Sequence, residues 1–245
     1  MLIMEAEMNE AAYRLIAGLF DAFLWGGELL GDENLPERGP AVFVANHLGA
    51  MGPIAVLASL PVRVYPWVIG DMLDREKAAD YLRWDFVEPQ LHLSPPFSLW
   101  LARAISKVSV GLMRSAGCVA VEQGEQLFET YQRSVDLLVA GKCLLVFPED
   151  PHRERDLLAR MTPFQKGFVR LGEFYYQRCG RALPFIPLTV HLDSYRVKVG
   201  KAVIFNPRTN PANERLRVKH ILEASIREMY LGMASNGFLS LPSTR

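Results

Sequence analysis

An α/β fold, one domain in which helices flank a largely parallel, mixed sheet behind an N-terminal amphipathic helix, is what this sequence predicts. Three observations carry the prediction. Short apolar, β-branched runs alternate with helical stretches, the pattern of strands joined through helices. At 245 residues and 50% hydrophobic the chain is long enough to bury one substantial core. Its three cysteines, Cys118, Cys143 and Cys179, form no CxxC pair and leave an odd count, so neither a disulfide framework nor a zinc knuckle is indicated, and a reducing cytoplasm is the expected compartment.

The elements follow in order. Residues 1–35 form an N-terminal helical segment, and 36–245 form the α/β domain. The stretch 11–30 is apolar enough to raise the question of a membrane span, but it holds Arg14, Asp21 and Glu28. One such charge near a membrane centre costs roughly 2.5–3.5 kcal/mol, so no span is expected. On a helix those three charges form one stripe, leaving Leu15, Ile16, Leu19, Phe20, Phe23 and Leu24 on an apolar face that packs on the domain or lies in a membrane interface. The acidic N-terminus lacks the positive region of a signal peptide. After the turn-rich break at 31–40, strands are expected at 41–46, 62–69, 118–122, 143–149, 183–191 and 196–205, several buried on both faces. The last carries a central Gly200, where it should bend or turn back as a hairpin. Helices are expected at about 53–60, 72–84, 97–116, 123–140, 164–180 and 212–233. The irregular stretch 71–96, with its "SPP" breaker, reads as an inserted helix and loop or a surface excursion.

Charge bounds the partners. With 27 basic and 27 acidic side chains, the chain is a poor candidate for binding nucleic acid by phosphate neutralisation. The distribution is uneven. Residues 1–35 carry seven acids against Arg14 alone, whereas 151–245 carry 16 basic side chains against seven acidic ones. That excess suits ordinary solvated helix faces, and equally an anionic lipid or co-substrate.

Three pieces fall at the ends of expected strands, where open α/β sheets place their ligands. Asn46-His47 puts a histidine where a buried strand opens onto a loop. "FPED", Phe147 to Asp150, brings two carboxylates to another strand end, with Arg153 and Arg155 close behind. In "PFQKG", Lys166-Gly167 opens a helix whose N-terminus favours an anion. His92, His152, His191 and His220 have no metal-ligand spacing, so no metal is expected.

Together, "NH" at 46–47, "FPE" at 147–149, "PFQKG" at 163–167 and "FIPLTV" at 185–190 resemble the phospholipid and glycerol acyltransferase family, over about residues 33–205. The resemblance implies an acyltransferase-like fold, a place in lipid metabolism, and transfer of an acyl group from a coenzyme A or acyl carrier protein thioester to a hydroxyl or amine. The acceptor would be lipid-like or small. His47 would be the general base, and Asn46, Glu149, Arg153, Lys166 and Gly167 would bind substrate. No cofactor would be held permanently. A cytoplasmic protein with peripheral contact at the inner face of the membrane is the matching location.

The departures are specific. The family places an Asp five residues after the motif-one His, and Gly52 stands there. Making the orienting Asp of a serine-protease triad uncharged lowers turnover by about 10⁴. The glycine that follows the motif-two Glu is Asp150 here, which makes Asp150 the candidate to replace the missing partner as a catalytic residue. Asp71 and Glu122 stand where the family commonly has phosphate-binding cations, so an acceptor other than a phosphate monoester is expected. Two alternatives stay open: a member that binds acyl chains or lipid without turnover, and a thioesterase-like hydrolase in which His47 activates water.

Overall fold

The computed structural model describes residues 7–122 and 124–238. Along the chain the elements are α1 (Glu10–Phe20), β1 (Glu28–Leu30), β2 (Ala41–Ala45), α2 (Met51–Ser59), β3 (Val64–Ile69), α3 (Arg75–Leu82), α4 (Glu88–Leu91) and α5 (Phe97–Ala116). They continue as β4 (Val119–Val121), α6 (Leu127–Val139), β5 (Cys143–Val146), α7 (Arg170–Cys179), β6 (Pro184–His191), β7 (Arg196–Val199), β8 (Val203–Ile204) and α8 (Pro211–Phe238). The class is α/β with mostly parallel strands and flanking helices, and every strand and helix expected from the sequence has a counterpart. Two compact units divide the chain: Met1–Tyr13 with Tyr65–Arg133, and Arg14–Val64 with Ser134–Arg245.

In the larger unit the strands run in the order β1, β7, β6, β2, β5. β2 is parallel to both of its neighbours, and every residue of β2 and of β5 is buried. That is why both read in the sequence as unbroken apolar runs rather than as alternating ones. Phe43, Leu144, Leu145, Phe185, Ile186 and Leu188 fill the core, each contributing about 1.5–3 kcal/mol by leaving water. α8 lies along β6 and buries Val218, Leu222, Ile226 and Tyr230, one stripe at four-residue spacing. Its start is set by Asn210, whose side chain accepts from the Ala212 and Asn213 N–H groups, with Pro211 as first helical residue.

Two expectations about this unit change. The N-terminal helix does not run to residue 30: it widens at Asp21–Trp25 and stops at Gly26, which has a φ of 60°. Glu28 therefore belongs to β1, parallel to β7 and paired with Arg196, and not to a helical charge stripe. What remains of the apolar face is divided. Ile16 and Phe20 are half-buried, whereas Leu15, Leu19, Phe23 and Leu24 stay exposed. Second, the 196–205 run is not a hairpin. β7 and β8 both lie antiparallel to β6, with Leu188 opposite Val199 and Phe185 opposite Val203. Four steps on one side match three on the other, so the interruption at Gly200 is a bulge. Among the described residues no helix is long and apolar enough to cross a membrane.

In the smaller unit β3 and β4 are parallel, and α3 packs on α5. Asp74 caps α3 by accepting from the Glu76 and Lys77 N–H groups, which holds its carboxyl below the usual carboxylate range. α5 ends at Gly117, whose φ of 82° lets the Gly117 and Cys118 N–H groups turn back onto the Arg114 and Met113 carbonyls. The stretch 71–96 is mostly helical: a turn at Gly70–Leu73, then α3, a widened turn at Arg83–Val87, and α4.

Candidate active site

Parallel pairing of β2 with β5 decides where the chemistry gathers. The register sets Val44 beside Val146, so the residues that follow each strand emerge together at one edge of the sheet. His47 and Glu149, 102 positions apart in sequence, meet there: the His47 backbone N–H donates to Glu149 Oε1 at 2.5 Å.

Asn46 makes the turn possible. Its side chain is fully buried, with Nδ2 donating to the Val190 carbonyl at 3.1 Å and Oδ1 accepting the Val190 N–H at 2.8 Å. The amide thus takes over the ladder to β6 just where the backbone leaves it, and the next residue, His47, is delivered exposed. Asn46, expected to bind substrate, has its amide committed to the scaffold. The His47 ring stands edge-to-face with Phe147, centroids 5.4 Å apart and planes at 89°, which limits its orientation.

Glu149 joins three segments. Besides the His47 N–H it accepts from the Thr162 N–H at 2.7 Å and from Thr162 Oγ1 at 3.3 Å. Burial pushes its carboxyl above the usual range, opposed by those N–H groups and by the charge of Arg155. In Glu149→Gln one oxygen remains and an NH₂ faces the second backbone donor, a loss of about 1–3 kcal/mol at neutral pH. Because the folded-state pKa is raised, the wild-type carboxyl contributes stability below its unfolded pKa that is lost as pH rises through the folded value. The stability gap between wild type and Glu149→Gln should therefore be widest in acid and narrow through that window, as urea unfolding at a series of pH values will read.

Asp150 faces the other way. Glu149 pairs with Phe164 in an antiparallel bridge, so the chain is extended there and consecutive side chains take opposite sides. Asp150 Oδ1 accepts the His152 N–H at 3.1 Å, and Oδ2 lies 4.0 Å from Arg153 Nε. The geometry directs this carboxylate to its own loop, where it lines an open groove of about 540 Å³ with His152, Arg153, Glu154, Pro163, Phe164 and Lys219. Lys166 is exposed and precedes the tight turn Gly167–Val169 that leads into α7.

α8 braces this loop from behind. Glu223 accepts the Phe164 N–H at 3.4 Å and pairs with Lys219 at 2.6 Å, while Arg227 pairs with Asp156. Thr162, Lys219 and Glu223 were not singled out from the sequence. Thr162 sits one residue before "PFQKG" without a signature of its own, and the other two lie on an ordinary charged helix. His191 is structural, bonded to Ser194 and with its ring tilted 60° against that of Tyr230.

Gly52 lies in the first turn of α2, buried, with ordinary backbone angles. A Cβ there would meet the Asn46 carbonyl oxygen and Leu48 Cβ at 3.7 Å and the His47 carbonyl carbon at 3.9 Å, all comfortable contacts. The side-chain position beside His47 is open although the carboxylate is absent.

Fold and site together define an α/β protein with an exposed histidine held over the carboxyl edge of a parallel sheet by a half-buried carboxylate. Its fold is similar to that of PlsC, a 1-acyl-sn-glycerophosphate (LPA) acyltransferase from Thermotoga maritima, with a TM-score of 0.54 and 13% identity over 96% of this chain and 84% of that one. No family model and no curated protein matches the sequence.

Proposed function

We propose that the chain is an acyltransferase that moves a fatty acyl group from a coenzyme A or carrier-protein thioester to a hydroxyl or amine of a lipid-like or small acceptor. The observation that carries this reading is His47, exposed at the sheet edge with its backbone held by Glu149 and its ring flanked by Phe147. His47 takes the acceptor proton as the oxygen attacks the thioester carbon; the C–S bond breaks, and the imidazolium returns the proton to the departing sulfur. Arg153, on the open groove, and the Lys166-Gly167 turn bind the donor or acceptor. The fold shared with an LPA acyltransferase supports the reaction class, and the absence of a membrane-crossing helix among the described residues is compatible with a peripheral protein on the cytoplasmic side.

The acceptor differs from a phosphate monoester. Asp71 pairs with Lys77 at 2.7 Å, and the Glu122 carboxylate packs against Gly70, so two acids flank one turn where cations were expected. A phosphate near them is repelled. The deciding experiment incubates the protein with a panel of acyl thioesters, with and without glycerol 3-phosphate, lysophosphatidic acid and uncharged or amine acceptors, and follows free thiol. Release that depends on an uncharged or amine acceptor supports the proposal. Acceptor-independent release would make the protein a hydrolase, and saturable acylation of glycerol 3-phosphate would refute the acceptor assignment. Gly52 favours a second reading, an acyl-chain or lipid binder without turnover; thioester binding with no thiol release under any condition would establish it.

A further inference from the structure

α5 carries large apolar side chains on the face it turns to water. Its buried stripe is Ser98, Ala102, Ser106 and Val110, small side chains that let it pack closely on α3, which turns Ala78 and Ala79 inward. Three of its large apolar residues point to solvent, Phe97 at 70% exposed, Trp100 at 72% and Val108 at 72%, while Leu99, Leu101, Ile105, Leu112 and Met113 are half-buried. The exposed three follow each other around one helix face with exposed Ala104 between them, and exposed Arg103 and Lys107 run along its border. A water-facing helix normally shows the reverse arrangement.

Charge identifies what covers this face. Between Glu88 and Glu122 the chain has no Asp or Glu, so nothing acidic on α5 offsets Arg103 and Lys107. A second copy packed face to face would set those cations against themselves, because a two-fold interface uses the same patch twice. Two bordering cations in a chain of zero net charge are too few for nucleic acid. A row of Phe and Trp edged by Arg and Lys does match the interfacial zone of a bilayer, where aromatic rings sit at headgroup depth and the cations meet anionic lipid. We propose that the exposed face of α5 is a docking surface for an anionic membrane, a role that stands whether or not His47 supports turnover.

The test is co-sedimentation of the full chain with vesicles of phosphatidylcholine alone and of phosphatidylcholine mixed with phosphatidylglycerol, at low and high salt. Wild type should partition onto the mixed vesicles and be released by salt. Phe97→Ser/Trp100→Ser should weaken partitioning at least about tenfold, and Arg103→Glu/Lys107→Glu should abolish the preference for anionic lipid. Leu19→Ser/Phe23→Ser on α1 and the widened turn that follows it, whose exposed apolar residues stand among acids, should stay within about twofold of wild type. Unchanged circular dichroism and thermal midpoints will show that the variants fold. The proposal fails if wild type binds neither vesicle, if binding survives both α5 changes, or if only the α1 change removes it. It fails equally if sizing shows a wild-type dimer that the α5 changes split, which would make the face a contact between copies.

Discussion

His47→Ala should lower acceptor-dependent thiol release by roughly 10²–10⁴-fold, the range that a positioned base contributes. The thermal midpoint should barely move, because the ring is exposed and its one described aromatic contact, with Phe147, is worth only about 0.5–1.5 kcal/mol. Activity and stability thus separate at this position, unlike at Glu149, whose carboxylate holds two backbone N–H groups and should affect both. Measured KM values sharpen the reading. Loss confined to kcat, with substrate affinity kept, marks a group that acts in the transition state, whereas a raised KM with kcat unchanged would make His47 a binding residue. Activity surviving His47→Ala would remove the proposed mechanism.

Much of this arrangement was legible beforehand, and the parts that were not share a cause. β2, β5 and β6 declared themselves because burial on both faces demands continuous apolar runs, and α5 was placed to the residue because its helical pattern runs cleanly from Pro96 to Gly117. Meeting of His47 with Glu149 followed from two strands ending on one sheet edge. The assignment of roles within the motifs did not follow. Asn46 and Glu149 look like substrate ligands when read as residue types, yet their polar groups are taken up by the Val190, His47 and Thr162 backbones. A spacing can place a side chain at a site without saying whether its partner is ligand or scaffold. β1 was missed because Glu28–Leu30 is only three residues long and held through its partner β7, a long-range pairing invisible to a local pattern. The exposed face of α5 was hidden for a related reason: periodicity reveals that a helix has an apolar side but not which side the fold turns inward.

Gly52→Asp should raise turnover about 10²-fold, below the roughly 10⁴ that separates a charged from an uncharged orienting residue in a serine-protease triad. The position accepts the change: an added Cβ meets no heavy atom closer than 3.7 Å, and the backbone needs no left-handed angle. Placement in the first turn of α2 favours a negative charge there, since the N–H groups of a helix's first turn and its dipole stabilise an anion. Burial works against it, so the new carboxylate is useful only if the imidazole or those N–H groups take up its charge. Asp150→Gly is the companion variant. With its carboxylate engaged by the His152 N–H and Arg153, Asp150 organises the groove, and its removal should alter KM more than kcat. If Asp150→Gly instead abolishes kcat while Gly52→Asp adds nothing, Asp150 is the displaced partner of His47 after all, and the loop must rearrange when substrate binds. A gain at Gly52→Asp with a mild effect at Asp150→Gly would show a site that kept the place for its orienting acid and runs without one, its histidine held by Phe147 and by a backbone anchored to Glu149.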